Sequence, residues 1–475
     1  MLFSSQIFFI FFLIYFVAHL LTPKFFRLYL IIIGSSFFYA WWKIEYFWIP
    51  YFLMAIAYFG GQWISNQSNQ YARKYRLIFI ITLLFIPLLT YKYINFIYHD
   101  ILGVFFYTKD NLFGSSLPLG VSFITFTLTA YLMDIYRKRY PSNKPILVVL
   151  AYVLFFPHLI AGPILHPKEL IPQLENPRSF VITRTLVPLT IFSIGLFKKL
   201  VFADQIANLV VNPIYAQSFS PSGPEALLAI IGFAVQIFCD FSGYTDMAIA
   251  LALLLGVKLP NNFERPYTAT SISQLWSRWH ITLTHFLMEY IFTPLSLRAM
   301  HLPSYKKYLP FTRVFMSLII PINITFMISG VWHGAGWNFI CFGIVTGIFM
   351  SIDSLWRWAK MPKIYSELAW ALTMSAFLIS LIFFRSPTVS KAITMISSLF
   401  SNNWSDLTKT FTAQLFPIFL FILFVVTHKF DDHRRIKIAV KKLRPEIILA
   451  LILFCWVLAI LVSQGNSGNF VYFDF

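Results

Sequence analysis

Charge is what this sequence has least of. Only 12% of its 475 residues are Asp, Glu, Lys or Arg, where a soluble domain carries about one quarter. A water-soluble enzyme is excluded on that ground. Acidic residues are the scarcer sign, 19 against 37 basic ones, for a net charge of +18. Cysteine is almost missing: Cys239, Cys341 and Cys455 stand in apolar surroundings, odd in number and without metal-type spacing. That excludes a disulfide framework or a thiolate metal site and leaves small core residues. There is no G-x-S-x-G elbow, and Ser329 is four residues from His333 with no elbow turn, so a Ser-His-Asp hydrolase is a poor fit. Low-complexity tracts, internal repeats and any soluble domain are also lacking.

What fills the chain is apolar sequence, 58% of all residues. The apolar runs are continuous, whereas a transmembrane barrel alternates. They fall near 5–21, 25–42, 47–64, 76–97, 117–135, 146–163, 185–203, 226–256, 311–331, 336–356, 366–385, 413–428 and 446–463. Most approach the roughly 18–20 residues that cross a bilayer as a helix. The reading is an all-α integral membrane protein of roughly eleven to thirteen spans, some of them re-entrant, with 1–475 as a single domain. The run Ser5 to Leu21 lacks a basic n-region and a small-residue cleavage site, so it is read as a retained helix. SFSPSGPE at Ser218–Glu225 is a loop by composition.

The basic residues cluster between the runs, as RKYR at Arg73–Arg76, YRKRY at Tyr136–Tyr140 and HRRIKIAVKKLR at His433–Arg444. This is the positive-inside pattern, which turns those segments toward the cytoplasm and toward anionic lipid headgroups. Basic patches alone carry no base readout, so no nucleic-acid partner is inferred.

The segment Lys258 to Met300 departs from the spans. Ser271 with Gln274 fits a capping box. A helix from there would place Trp276, Trp279, His280, Leu283 and Leu287 on one side and Arg278, Thr282, His285 and Glu289 on another. Pro294 would bend or end it.

Ionisable groups inside a membrane are functional candidates by default. The foremost is His333, in ISGVWHGAGWN at Ile328–Asn338. Gly330, Gly334 and Gly336 would let the backbone kink or pack closely, and Trp332 and Trp337 would wall the site. An apolar setting favours neutral imidazole, the form that accepts a proton. A purely structural histidine is the competing reading. His280 is a second catalytic group, a donor to a carbonyl oxygen, or an interfacial anchor. A metal held by His280, His285 and His333 lacks carboxylates to complete it, so no metal is expected. In CDFSGYTD, SGY suggests a helix break between Asp240 and Asp246, with Asp246 a cap or hydrogen-bond partner. Asp240 and Asp134 are placed as partners of arginines. Lys198 and Lys199 either snorkel at an interface or meet a phosphate-bearing donor.

Together these motifs resemble the membrane-bound O-acyltransferases, the MBOAT family, nearest its bacterial branch of alginate and peptidoglycan O-acetylases. The resemblance rests on LPLGVSFITF at Leu117–Phe126, FFPHLIAGPILHPKELIPQ at Phe155–Gln173 and GLFKKLVFAD at Gly195–Asp204. It continues in DFSGYTDMAIA at Asp240–Ala250, NFERPYTATSISQLWSRWHITLT at Asn262–Thr284, SGVWHGAGWNFICFG at Ser329–Gly343 and the final FVYFDF. The most specific part spans 117–343. One departure is FTPLSLRAM at Phe292–Met300, where alginate acetylases continue differently.

The resemblance implies a ring of helices around a central tunnel, with His333 as central base and His280 as its partner. It implies a tunnel lined by Trp276, Arg278, Trp279, Trp332, Trp337, Asn338, Asp240 and Tyr244. The expected reaction passes an acetyl group from cytoplasmic acetyl-CoA, a substrate and not a bound cofactor, toward a cell-envelope polysaccharide. A separate periplasmic SGNH-type transferase with a serine nucleophile is the implied partner, and a bacterial inner membrane the implied location. D-alanyl transfer to teichoic acid is the rival within the class. A carrier that moves acetyl groups or lipids without chemistry is the rival outside it.

Overall fold

A computed structural model describes residues 1–104, 117–176, 185–401, 404, 407–464, 467–468 and 470–471. The last four residues of FVYFDF lie outside the described residues. Helices needed below, numbered in chain order, are α1 (Gln6–Leu21), α2 (Gln70–Ile101), α3 (Val121–Tyr136), α4 (Ile146–Leu154), α5 (Leu186–Tyr215) and α6 (Gly223–Leu254). They continue with α7 (Ile272–Arg278), α8 (Ile281–Leu287), α9 (Pro310–His333), α10 (Trp337–Trp358), α11 (Ser366–Arg385), α12 (His433–Lys442) and α13 (Pro445–Ser463). Among the described residues, seven helices are long and apolar enough to cross a membrane: α2, α5, α6, α9, α10, α11 and α13. Shorter apolar helices, α1 and α3 among them, pack with these.

The centre is α6. Its side chains are buried along almost the whole length, whereas α13 and α2 leave most of theirs on the outside. Contrary to the sequence reading, α6 runs unbroken through SGY. Gly243 serves packing there: a Cβ on it would stand 2.6 Å from the carbonyl of Gly195, and the reverse holds for Gly195. The two glycines let α5 and α6 touch backbone to backbone.

Two further expectations are corrected. The run 146–163 is not one span. Helix α4 stops at Leu154 and a short turn restarts at Phe156–Leu159, because Pro157 fits only the first turn of a helix. The helix from Ser271 is likewise broken. Ser271 Oγ does cap it, accepting from the Gln274 amide at 3.2 Å, but Trp279 is extended and His280 left-handed, with φ 40°. The chain then continues from Ile281 through a wide π turn, Met288–Phe292, into Thr293–Met300. Pro294 therefore ends nothing, since it sits at the start of that last stretch, where a missing amide is tolerated.

Two of the basic segments meet. Arg73 donates to the Tyr136 carbonyl at 2.7 Å, and Arg137 pairs with Glu289 at 2.6 Å. Helix α12 buries no side chain.

Candidate active site

Helix α9 ends at His333, inside the protein. A helix end leaves its last carbonyls without partners, and in a membrane they must be satisfied by protein. Helix α2 supplies the donors. Past Pro87 it widens into a π turn at Leu89–Tyr93. From that turn Lys92 Nζ donates to the carbonyls of Trp332 (2.6 Å) and His333 (2.9 Å), and Tyr93 donates to that of Val331 (2.7 Å). The chain leaves His333 through extended Gly334 and returns as α10. The glycines answer to space and not to a special conformation. A Cβ on Gly330 would run into the Phe339 carbonyl and Gly343, and one on Gly334 into the Phe339 ring.

His333 is buried, its ring edge-on to Phe384 (5.1 Å) and 4.8 Å from the ring of Trp332. Trp332 lies flat on Phe126 and 6.1 Å from His280. His280 is buried too, stacked on Phe123 (6.2 Å) with Phe241 edge-on at 4.7 Å. Its Nδ1 faces Asn262 Oδ1 at 3.1 Å. The two histidines, 53 positions apart in sequence by their numbers, thus flank one indole. A cavity opens beside them, lined by Lys92, Ser122, Phe123, Trp332, His333 and Phe470 among others.

The other expected lining residues lie elsewhere. Trp337 is half exposed, against Phe96, because it opens α10 on the outer side. Arg278 turns away to Thr268 Oγ1 at 2.8 Å. Trp276 sits on Phe326 and Phe377, and Trp279 on Phe263 and Tyr267, as packing. Asn338 is buried at the head of α10. Tyr244 stacks between Phe3 and Phe470, behind the cavity. His285 is exposed, away from the other two histidines. Among the described residues no group of three or more His, Cys, Asp or Glu is placed to hold a metal.

Asp240 and Asp246 belong to a second polar region. Lys199 bridges Asp204 and Asp240, each at 2.8 Å. Those carboxylates also accept from the amides of Gly468 (3.0 Å) and Val471 (2.7 Å). Lys198 bridges Asp246 (2.7 Å) and Asp431 (2.6 Å), and His433 Nε2 reaches Asp246 at 2.8 Å. Both lysines are therefore buried in ion pairs. They do not snorkel, and Asp240 pairs with a lysine where an arginine was expected. Asp246 is mid-helix, so of its two expected roles it is the hydrogen-bond partner and not the cap. Asp134 pairs with His166 at 2.9 Å, again not with arginine. Burial alone would push the His433 imidazole down, but the Asp246 carboxylate overrides it and holds it above the ordinary histidine range. Its other nitrogen faces Asn261 Oδ1 at 2.9 Å, as suits an imidazolium.

Sequence reasoning missed Lys92, Ser122, Asn262 and Phe470. Lys92 had a signal, a lone lysine inside the apolar run 76–97. The others had none apart from their motifs.

The profile of the MBOAT, membrane-bound O-acyltransferase family, matches residues 136–384. The chain belongs to this family. As an MBOAT protein it is a membrane-bound acyltransferase. It is 34% identical to a peptidoglycan O-acetyltransferase of Helicobacter pylori, over 82% of this chain and 77% of the relative. It is 31% identical to a probable alginate O-acetylase AlgI of Azotobacter vinelandii, over 90% and 84% respectively. A teichoic acid D-alanyltransferase of Streptococcus thermophilus is 27% identical over 50% of this chain. His280, His333 and Asn262 fall within the MBOAT match, whereas Lys92, Ser122 and Phe470 fall outside it.

Proposed function

We propose that the protein transfers an acetyl group from cytoplasmic acetyl-CoA to the acceptor side of the bacterial inner membrane, for O-acetylation of a cell-envelope polysaccharide. The observation that carries this reading is His333, at the wall of a cavity within the membrane domain. His333 is the base. An acceptor hydroxyl attacks the thioester carbon, its proton passes to His333, the new C–O bond forms, and the C–S bond breaks to release the thiolate. The two acetyl-transferring relatives, matched along most of the chain, support acetyl over D-alanyl. The polymer is of the peptidoglycan or alginate kind. A separate periplasmic transferase with a serine nucleophile receives the acetyl group, as the likeness to the peptidoglycan and alginate O-acetylases suggests.

The test is purified protein in detergent with labelled acetyl-CoA and an acceptor. Thioester cleavage that depends on His333 supports the reading. Label that moves only from a D-alanylated carrier protein reassigns the donor, and donor binding without cleavage by any acceptor overturns the chemistry. Deleting candidate periplasmic partners and still finding acetylated polymer refutes the partner.

A further inference from the structure

We infer that Asn262 is a positioning residue, which locks His280 as the Nδ1–H tautomer and so makes its Nε2 a hydrogen-bond acceptor. The argument is a chain of hydrogen bonds whose directions are fixed at one end. The backbone amide of Ile164 can only donate, and it donates to Thr282 Oγ1 at 3.0 Å. The Thr282 hydroxyl is thereby free to donate onward, to Asn262 Oδ1 at 3.0 Å. The Thr282 amide, also only a donor, reaches the same atom at 3.2 Å. An amide nitrogen there would face donors, so this atom is the side-chain oxygen. Hence the His280 nitrogen 3.1 Å from it must carry the proton.

A neutral imidazole has one N–H. With Nδ1 protonated, Nε2 holds a bare lone pair. It is buried among Phe123, Phe241 and Trp332 and has no partner among the described residues. The backbone joins in the constraint. Ile281 N donates to the Asn262 carbonyl at 2.9 Å, and His280 keeps the left-handed conformation, φ 40°, which is uncommon outside Gly and enriched in Asn, Asp and His. The ring is thus fixed in place, in orientation and in tautomer, all by one asparagine some twenty residues upstream.

This decides among the roles open to His280. While neutral it cannot donate from Nε2 to a developing oxyanion. It receives a donor group, a hydroxyl or an amide N–H. Its place in the reaction rests on the acyl-transfer reading above; its tautomer does not.

The first experiment therefore needs no activity. Histidine-selective 15N labelling of the full chain in lipid bilayers, with His280→Gln to assign the resonance, reads the ring directly. An unprotonated, pyridine-type Nε2 is expected, and a protonated Nε2 overturns the inference. The second experiment is kinetic. Asn262→Ala should lower kcat by roughly 10–100-fold, as loss of an orienting partner does, with KM within about threefold. Asn262→Asp keeps an acceptor for Nδ1–H and should recover most of kcat, with the acid limb of the kcat profile moved to higher pH. Wild-type kcat in folded Asn262→Ala, or an aspartate variant no better than alanine, overturns the positioning role. If the wild type itself transfers no acetyl group, it is the acyl-transfer reading that fails, and the 15N result still decides the tautomer.

Discussion

Two polar regions interrupt the apolar interior, and they are built on opposite principles. Around Lys198 and Lys199 every charge is met. Each lysine holds two carboxylates, and the carboxylates take further donors from His433, Gly468 and Val471. Around the indole of Trp332 the backbone is met, and two side-chain nitrogens are not. Lys92 and Tyr93 satisfy the helix carbonyls, but among the described residues His280 Nε2 and Trp332 Nε1 are buried without a hydrogen-bond partner, Trp332 at the wall of a cavity. Saturation holds a fold together. Incomplete saturation costs stability and persists where a ligand completes it. The lysines of GLFKKL are thus held in ion pairs, and the two imidazoles flank the indole beside the cavity.

Substitutions can break or sharpen that contrast. The largest effect belongs to His333→Ala, which should cut acetyl transfer by about 10²–10⁴-fold, the usual worth of a general base, with the melting temperature of the purified protein nearly unchanged. A matching loss of stability would place His333 with the structural region. Lys199→Met should do the reverse. It strands two buried carboxylates, a change on the order of 3–5 kcal/mol, seen as poor accumulation and early melting. Adding Asp204→Asn and Asp240→Asn should recover part of the loss, and no recovery would mean the pairs are not what holds this region.

Lys92→Met tests the border between the two regions. It leaves two helix carbonyls without donors, about 1–3 kcal/mol for each buried group left unsatisfied. Activity should fall with stability, since the end of α9 carries His333. Tyr93→Phe strands one carbonyl, that of Val331, and should cost about 1–3 kcal/mol once, roughly half of the Lys92→Met loss. Equal effects from the two would show that the lysine charge is irrelevant there.

The smallest effect is a pH dependence. The His433 imidazole titrates above its unfolded value, so its contribution is fully present below about pH 6.5. It is lost as pH rises through the folded value. Melting temperature should therefore fall on that alkaline side in the wild type, and the His433→Gln variant should show less of the slope. An unchanged slope would remove His433 from the saturated region.

The sequence by itself determined what depends on neighbours along the chain. Composition and run length made this a helical membrane protein, because each apolar run must close its own backbone hydrogen bonds in lipid. The short motifs carried His280 and His333 as candidates, His333 because an imidazole beside an apolar run is costly enough to stand out and His280 because a Trp- and His-rich amphipathic helix does so between the runs. Tertiary structure decided what depends on distant partners. SGY gave no break because Gly243 meets Gly195 across a helix crossing. His280 left the expected helix because Asn262, in a preceding loop, holds its ring and the next amide. The lysines of GLFKKL are tied up in ion pairs because, besides the nearby Asp204, their carboxylates come from α6 and from as far on as Asp431. Lys92 reaches the His333 carbonyl across 241 positions. Propensity and periodicity are properties of a few consecutive residues, whereas a hydrogen bond between α2 and α9 exists only once packing brings both helices to the same depth.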